Sequence, residues 1–544
     1  MAGGSLNLAS TQGTGDDILS INPQITFFKK VYKRHTNFGL ETREITNSTN
    51  SSVNFGQSVT YTIDKSGSLI NNMYIEFTLP PAINTDGNDG TDDITKGPDD
   101  GAVDNWDQYC CWVNAVGFAI LNEVKLEIDG NTIDKHNGLW YDIWNELTDI
   151  NRKEWSLVGK RDDTDTPGIQ KLKSRYYVPL KFYFNRNAGL SLPIFLFDDN
   201  KIKISLTLNS LASLLTFDVL DGATPVINDV SITKFKFFTN YVFLDTAEQN
   251  KISNNLPTEY LIETLDIKEN LNDSDLSKIT LNNPVKELLW VIRHKDRLKT
   301  ATAAGGAKIN NVDDLTNTNP NNIFNYSLAV ENTNLGYGTY DTFKTLKFSI
   351  SNQDRIQETD ATHFRTIQPY NHHSNIPGGY VGNQSRKYIY SYSFAINPEE
   401  YQPSGSYNFT KADDDLKMIF TGFGNPTTNT NEFDDYRLDL FAFHYKYLSI
   451  NQNGITFKDV PYSSNVQEDS SNFKGVDEAI AKGIINKKCK DRTEEALIVE
   501  EKRLMAIEAE VRRRYSERKP DAHNHQNFTK KKWSGFQKDY TPEK

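Results

Sequence analysis

Cysteine is nearly absent: the 544 residues hold three, Cys110, Cys111 and Cys489. Two of these are adjacent, a placement that rarely bridges. No Cys-x-x-Cys spacing occurs, so neither a disulfide framework nor a zinc site is expected. Such sparing use suits a reducing compartment. Long hydrophobic runs are missing as well. No stretch approaches the roughly 18 apolar residues of a membrane span. The opening MAGGSLNLASTQGTGDDILS lacks the basic-then-apolar order of a secretory signal. Ala2 stands where N-myristoylation needs a glycine. Positive charge is in deficit: 60 Lys and Arg against 72 Asp and Glu give a formal net charge of -12. That balance argues against a general nucleic-acid coat, which must neutralise phosphates.

Catalytic signatures are lacking too. No GxSxG elbow, Walker loop or HExxH occurs, and Gly305-Gly306-Ala307-Lys308 lacks the flanking residues of a phosphate loop. Among the nine histidines, His372 and His373 are adjacent; neighbours on an extended chain point to opposite sides, so no chelate is expected. The stretch from Asn84 to Asn105, with seven aspartates and four glycines, looks like a calcium loop but misses the final glutamate. A solvated surface loop is the expectation there. Glu399–Glu400, within NPEEYQPSG, reads as a turn rather than as the carboxylate pair of a glycosidase. No catalytic, cofactor or metal residue is assigned.

What the chain does have is aromatic residues, at 12%, and abundant alternation. In Tyr176 to Leu208, apolar residues recur at every second position: Val178, Leu180, Phe182 and Phe184, then Leu190, Leu192, Ile194 and Leu196, then Ile202, Ile204, Leu206 and Leu208. Period two puts one strand face in a core, which predicts a three-stranded antiparallel meander. Strands are also predicted in Val53 to Leu79, around a turn at Asp129, Gly130 and Asn131, and as a pair in Ser231 to Leu244. LWYDIWNEL (Leu139 to Leu147) predicts a short helix with Leu139, Ile143, Trp144 and Leu147 on one side. About eight strands in the first half is the count of a jelly roll. A second run follows from Glu259: YLIETLDI, VKELLWVIR, SLAVENT, TFKTLKFSI, KYIYSYSFAIN, then Leu416 to Phe420 and Leu438 to Ile450.

Four segments are therefore expected: an N-terminal arm at 1–24, strand-rich domains at 25–245 and 246–465, and a charged extension at 466–544. Just after the arm, Ile25, Phe27 and Phe28 can anchor a segment that Lys29, Lys30, Lys33 and Arg34 make locally basic. In the extension, Asp491 to Lys519 predicts a helix with Leu497, Leu504, Ile507 and Val511 on one stripe and Pro520 as its stop. From Lys487 onward 16 Lys/Arg face 11 Asp/Glu, a net +5 in an otherwise acidic chain.

At this point a resemblance comes into view. NPQITFFK and YKRHTNF, between Asn22 and Glu41, resemble the N-terminal signature of the major capsid proteins of large nucleocytoplasmic DNA viruses. Similar matches follow in family order: LEIDGNTID (Leu126 to Asp134), YVPLKFYFNRNAGLSLPIFLF (Tyr177 to Phe197), YVFLDTAEQN (Tyr241 to Asn250), EYLIE (Glu259 to Glu263), NPVKELLWV (Asn283 to Val291) and SFAINPEEYQPSGSYNFTKAD (Ser393 to Asp413). The resemblance covers about residues 20–460. It implies an all-β double jelly roll, two consecutive eight-stranded antiparallel rolls with an N-terminal arm and a partly helical C-terminal extension. It further implies a homotrimer forming a pseudo-hexameric capsomer that tiles an icosahedral shell over an internal membrane.

Residues Phe27, Phe28, Lys29, Lys30, Lys33 and Arg34 would then face the virion interior, meeting minor capsid proteins or the membrane surface; no specific nucleic acid is implied. Leu497, Leu504, Ile507 and Val511 would serve tail contacts. Assembly would take place in the host cytoplasm. Asn283 stands where the family usually has histidine, and the polar run after Ala247 lacks the usual arginines. The long tail leaves open a minor or vertex-proximal capsid paralogue, and a glycan-binding or glycan-cleaving β-sandwich is the distant alternative.

Overall fold

A computed structural model describes residue 3 and residues 22–47, 52–80, 108–160, 174–199, 201–219, 231–294, 323–326, 341–351, 353–377, 387–410, 415–424, 431–451 and 454–458. The expected tail helix and the acidic stretch 84–105 lie outside these residues.

Among the described residues ten strands make the first half: β1 (Phe38–Ile45), β2 (Ser58–Thr62), β3 (Leu69–Leu79), β4 (Gln108–Trp112), β5 (Leu121–Ile128), β6 (Asn131–His136), β7 (Ser174–Pro179), β8 (Ile202–Leu208), β9 (Leu215–Val219) and β10 (Lys234–Leu244). Eight of them form two four-stranded antiparallel sheets, β1-β10-β3-β7 and β2-β8-β5-β6, while β4 and β9 pair apart. Setting that pair aside, the chain changes sheet at every connection except the β5–β6 hairpin. This winding is the jelly roll. Its hairpin turns on Asp129 (φ 51°) and Gly130 (φ 79°), the two positive φ values that a tight right-twisted hairpin needs.

Among the described residues, which leave out the expected strand SLAVENT, nine strands make the second half: β11 (Thr258–Leu271), β12 (Pro284–His294), β13 (Thr345–Ile350), β14 (Gln353–Asp360), β15 (Tyr390–Ser393), β16 (Tyr407–Asn408), β17 (Leu416–Thr421), β18 (Tyr436–Asn451) and β19 (Gly454–Lys458). The order β11-β18-β12-β15 repeats β1-β10-β3-β7, and β17-β13-β14 repeats β8-β5-β6. In place of a strand equivalent to β2 stands a bridge, Ile279 against Leu416. Among the described residues the second roll thus repeats seven of the first roll's eight sheet strands, and adds β16 beside β12 and β19 beside β18. Asn283, at φ 66°, starts β12 from the left-handed region, which asparagine tolerates better than most residues.

The three-stranded meander expected for Tyr176 to Leu208 does not form. β7 and β8 are strands, but they lie in opposite sheets. Between them come helical turns at Tyr183–Arg186, Ala188–Leu190 and Ile194–Leu196. A chain crossing from one sheet to the other leaves both ladders, and Pro193 has no N–H to give one. The period-two residues still point inward: Leu190, Leu192 and Ile194 are buried, and Leu192 bridges Ile70 of β3. Likewise the expected strand pair in Ser231 to Leu244 is one long strand, β10, with a register shift at Asn240/Tyr241. The polar stretch after it is a helix, Thr246–Asn254.

Burial follows the sequence pattern. β8 alternates buried and partly exposed residues along IKISLTL, as a strand with one face on the core should. In β12 every residue from Val285 to Arg293 is buried, because it is central in its sheet and covered on both faces. Helix α1 (Gly138–Thr148) is capped by the Asn137 side chain, which accepts from the Trp140 N–H at 2.9 Å. It is buried all round from Gly138 to Leu147 rather than on the one side expected. Gly138 allows this: a Cβ there would sit 2.1 Å from the Phe118 carbonyl oxygen.

Candidate functional site: the seam between the rolls and the exposed N-terminal segment

Because α1 is sealed between the rolls, its polar residues must find partners there. Asp142 finds three. Lys160 Nζ donates to Oδ1 at 2.9 Å, and Lys387 Nζ and the Tyr326 hydroxyl donate to Oδ2 at 2.7 Å each. Lys160 also donates to Asn145 Oδ1 at 2.9 Å and pairs with Glu146 at 2.8 Å. Asp142 and Lys160 belong to the first roll, Lys387 and Tyr326 to the second. Burial alone would raise the Asp142 carboxyl, but the two ammonium groups outweigh it and hold it below its ordinary value. Burial would likewise lower Lys160, yet Asp142 and Glu146 raise it above its ordinary value.

Two further knots lie along the same seam. Glu263 of β11 takes Arg186 Nη1 of the first roll at 2.8 Å and also Lys286 of β12. Lys286 lies 4.2 Å from the Phe443 ring centre, and Arg186 lies 4.7 Å from it on this measure. Burial pushes the Lys286 ammonium down to about 8 although Glu263 opposes the shift. Farther along, His373 is clamped by Glu287 of β12 and by Glu399 at 3.0 Å. Burial opposes its protonation, but the two carboxylates outweigh it and raise the imidazole to about 9. The next residues tie this clamp to the first roll: the Asn375 N–H donates to the Leu147 carbonyl at 2.9 Å, and its side chain to the Glu146 carbonyl at 2.8 Å. A cavity of about 500 Å³ opens on the seam, lined by Tyr74, Trp144, Tyr183, Arg186, Glu263 and Tyr401 among others.

These ion pairs neutralise one another. They join the two rolls. Among the described residues no group of three or more His, Cys, Asp or Glu side chains is placed to hold a metal ion. No helix among them is long and apolar enough to cross a membrane.

The sequence-expected contact residues sit elsewhere. From Asn22 to Thr42 every residue is exposed. Phe27 and Phe28 are 89% and 99% accessible, and Ile25, Val31 and Tyr32 are nearly as open. Lys29, Lys30, Lys33 and Arg34 share that exposure, so the segment does not divide into an apolar face on the body and a charged face in water. Leu497, Leu504, Ile507 and Val511 lie outside the described residues.

Asp142, Lys160, Glu263, Lys286, Glu287, His373 and Lys387 were not singled out from sequence as a set. A signal existed for several. LWYDIWNEL and VKELLWVIR place acidic and basic residues inside otherwise apolar elements, which is tolerable when burial is matched by pairing. Glu399–Glu400 does close a turn, with the Glu400 N–H donating to the Asn397 carbonyl at 3.3 Å, while Glu399 is also the partner of His373.

Comparison with known proteins places this geometry in context. Residues 26–245 match the family described as major capsid protein N-terminus, and residues 248–455 match large eukaryotic DNA virus major capsid protein. The major capsid protein of Pyramimonas orientalis virus is 30% identical, with 83% of this chain and 97% of that protein aligned. That of Phaeocystis pouchetii virus is 29% identical over 83% of this chain and 98% of its own length. Among solved structures, the quasi-atomic PBCV-1 virus capsid has a chain with TM-score 0.56 and 24% identity, covering 80% of this chain and 99% of that one. The Faustovirus major capsid protein gives TM-score 0.55 at 13% identity, covering 82% and 96%. At those identities the likeness is one of fold.

Proposed function

The chain belongs to the large eukaryotic DNA virus major capsid protein family, and from that premise we propose that it homotrimerises into pseudo-hexameric capsomers tiling an icosahedral shell. It is a structural protein of the virion capsid, not an enzyme. The observation that carries the trimer is the repeat inside the chain: two rolls with the same strand order, fixed to each other by a buried polar seam. Two like domains per chain give a threefold assembly six like corners, which packs a plane with near-hexagonal units. The interfaces would be obligate ones, each burying roughly 2,000–5,000 Å² with aromatic-rich centres.

Negative-stain images of the purified protein test this. Particles with a hexagonal outline and a threefold axis support it, and small single-chain particles at every concentration contradict it. The basic, aromatic segment holding Phe27, Phe28, Lys29, Lys30, Lys33 and Arg34 fits an inward-facing role, toward minor capsid proteins or an anionic membrane surface. Removing residues 1–24 should then leave trimers intact and impair shell assembly in the host cytoplasm; unchanged assembly rules that out.

A second reading rests on the tail. The family match ends at residue 455, leaving a basic stretch beyond it. That extension suits a vertex-proximal or minor paralogue, where Leu497, Leu504, Ile507 and Val511 would contact a neighbour. Copy number per virion decides between the two.

A further inference from the structure

The cavity on the seam is walled by both rolls. The first roll contributes Tyr74 of β3, with Lys181 and Arg186 from the crossing after β7. The second contributes Glu263 of β11, with Glu399 and Tyr401 from the chain between β15 and β16. Its volume of about 500 Å³ falls inside the roughly 300–1,000 Å³ of small-molecule sites.

The charges on the wall cancel. Glu154 pairs with Lys181 at 2.6 Å, Glu263 with Arg186 at 2.8 Å, and Glu399 with His373 at 3.0 Å. A phosphate or a polyamine entering here would give up its water and find no unmatched counter-charge. Hydrogen-bonding capacity, by contrast, is left over. An ammonium has three protons, and among the described residues Lys181 Nζ directs its hydrogen bonds to Glu154 alone. Arg186 Nη2 reaches the Glu263 carbonyl at 3.5 Å, beyond the usual length of such a bond. Donors and acceptors therefore stand side by side on the wall. Vicinal hydroxyls answer that pattern, since each can donate and accept.

The remaining surface is aromatic. Tyr74 and Tyr401 are half-buried, so each keeps part of its ring open. Burial, and after it the nearby Glu263 carboxylate, raises the Tyr401 phenol, which sets this ring beside the Arg186–Glu263 pair. A flat apolar face next to matched polar groups suits a molecule with one C–H face and a rim of hydroxyls.

We propose that the cavity binds an uncharged sugar of one or two rings. Its hydroxyls bond to the Lys181–Glu154 and Arg186–Glu263 pairs, and its C–H face lies on Tyr401. Both rolls supply the wall, so the bound sugar adds a further tie between them. A free sugar and the end of a glycan chain share this chemistry. The site belongs to a single chain and is independent of whether copies associate.

The test is titration of the full-length protein with glucose, galactose, mannose, N-acetylglucosamine, maltose and lactose, read by thermal unfolding and by saturation-transfer NMR. At least one of them should raise the melting temperature by about 2 °C or more near saturation. Tyr401→Ala should weaken that binding about tenfold. Arg186→Lys, which keeps a cation beside Glu263 but loses the planar fork, should weaken it several-fold. Hydrogen exchange on the unaltered protein is a readout that needs no variant: the sugar should protect residues 181–190 and 399–405. An array of immobilised neutral glycans separates the two sources. A signal there that Tyr401→Ala abolishes identifies a glycan end, and binding in solution alone identifies the free sugar.

No response to any of these sugars overturns the site. So does binding that protects other residues, or a stronger response to sulfate, spermine or free amino acids than to sugars. None of these results bears on the trimer.

Discussion

Asp142 shows what one side chain does at the seam. Its carboxylate is the shared counter-ion of Lys160 and Lys387, all three buried. Replacing it by leucine leaves two ammonium groups without that partner in a site from which water is excluded. Removing one member of a buried set of this kind costs on the order of 3–5 kcal/mol, so Asp142→Leu should lower the free energy of chemical unfolding by about that amount. A change below ~1 kcal/mol would mean the knot contributes little.

His373 gives a pH signature instead. Its folded pKa, about 9, lies above the ordinary 6.5, so its contribution is fully present below pH ~6.5 and is lost as pH rises through about 9. Lys286, lowered to about 8, acts in the opposite sense over the alkaline range. The difference between wild type and His373→Gln therefore isolates the histidine. That difference should be largest near pH 6, on the order of 3 kcal/mol, and should shrink toward pH 10; a pH-independent difference would contradict the clamp. The charges in LWYDIWNEL and VKELLWVIR were visible in the sequence, but their partners are not sequence neighbours. Lys387 is 245 positions from Asp142, and nothing local signals that pairing.

At the scale of elements, α1 is the piece that the first roll offers to the second, and Gly138 sets how closely it packs on the Val116–Ala119 turn of its own roll. A methyl group at that position would meet the Phe118 carbonyl. Gly138→Ala should therefore destabilise by ~1–3 kcal/mol or more, measured by thermal or urea unfolding. Gly130→Ala is a different case: nothing lies near its Cβ position, but its φ of +79° makes the cost one of backbone strain, about 1 kcal/mol. Equal effects at the two sites would remove the close-approach argument.

Strands with clean alternation, such as β8, and buried runs such as β12 were legible because their faces have unlike environments. β1, β4, β9, β14, β16 and β19 were missed. QDRIQETD shows no apolar alternation, since an edge strand exposed on most of its residues has no core face to advertise. The crossing between β7 and β8 misled in the other direction. Its period-two residues are buried, yet they serve turns that pass between sheets, and periodicity cannot distinguish those cases.

For the whole molecule, the family and the two-roll plan were readable in sequence from long motifs in one order, and the repeat of topology required the structure. The strand orders match although no repeated sequence joins the halves, because a roll is specified by where its apolar faces fall rather than by particular residues.

The most direct measurement is the native mass of the purified full-length protein across a dilution series. A particle of three chain masses that persists to nanomolar concentration is the expected result, as an obligate interface requires. A single chain mass throughout, with the two rolls folded, would contradict it.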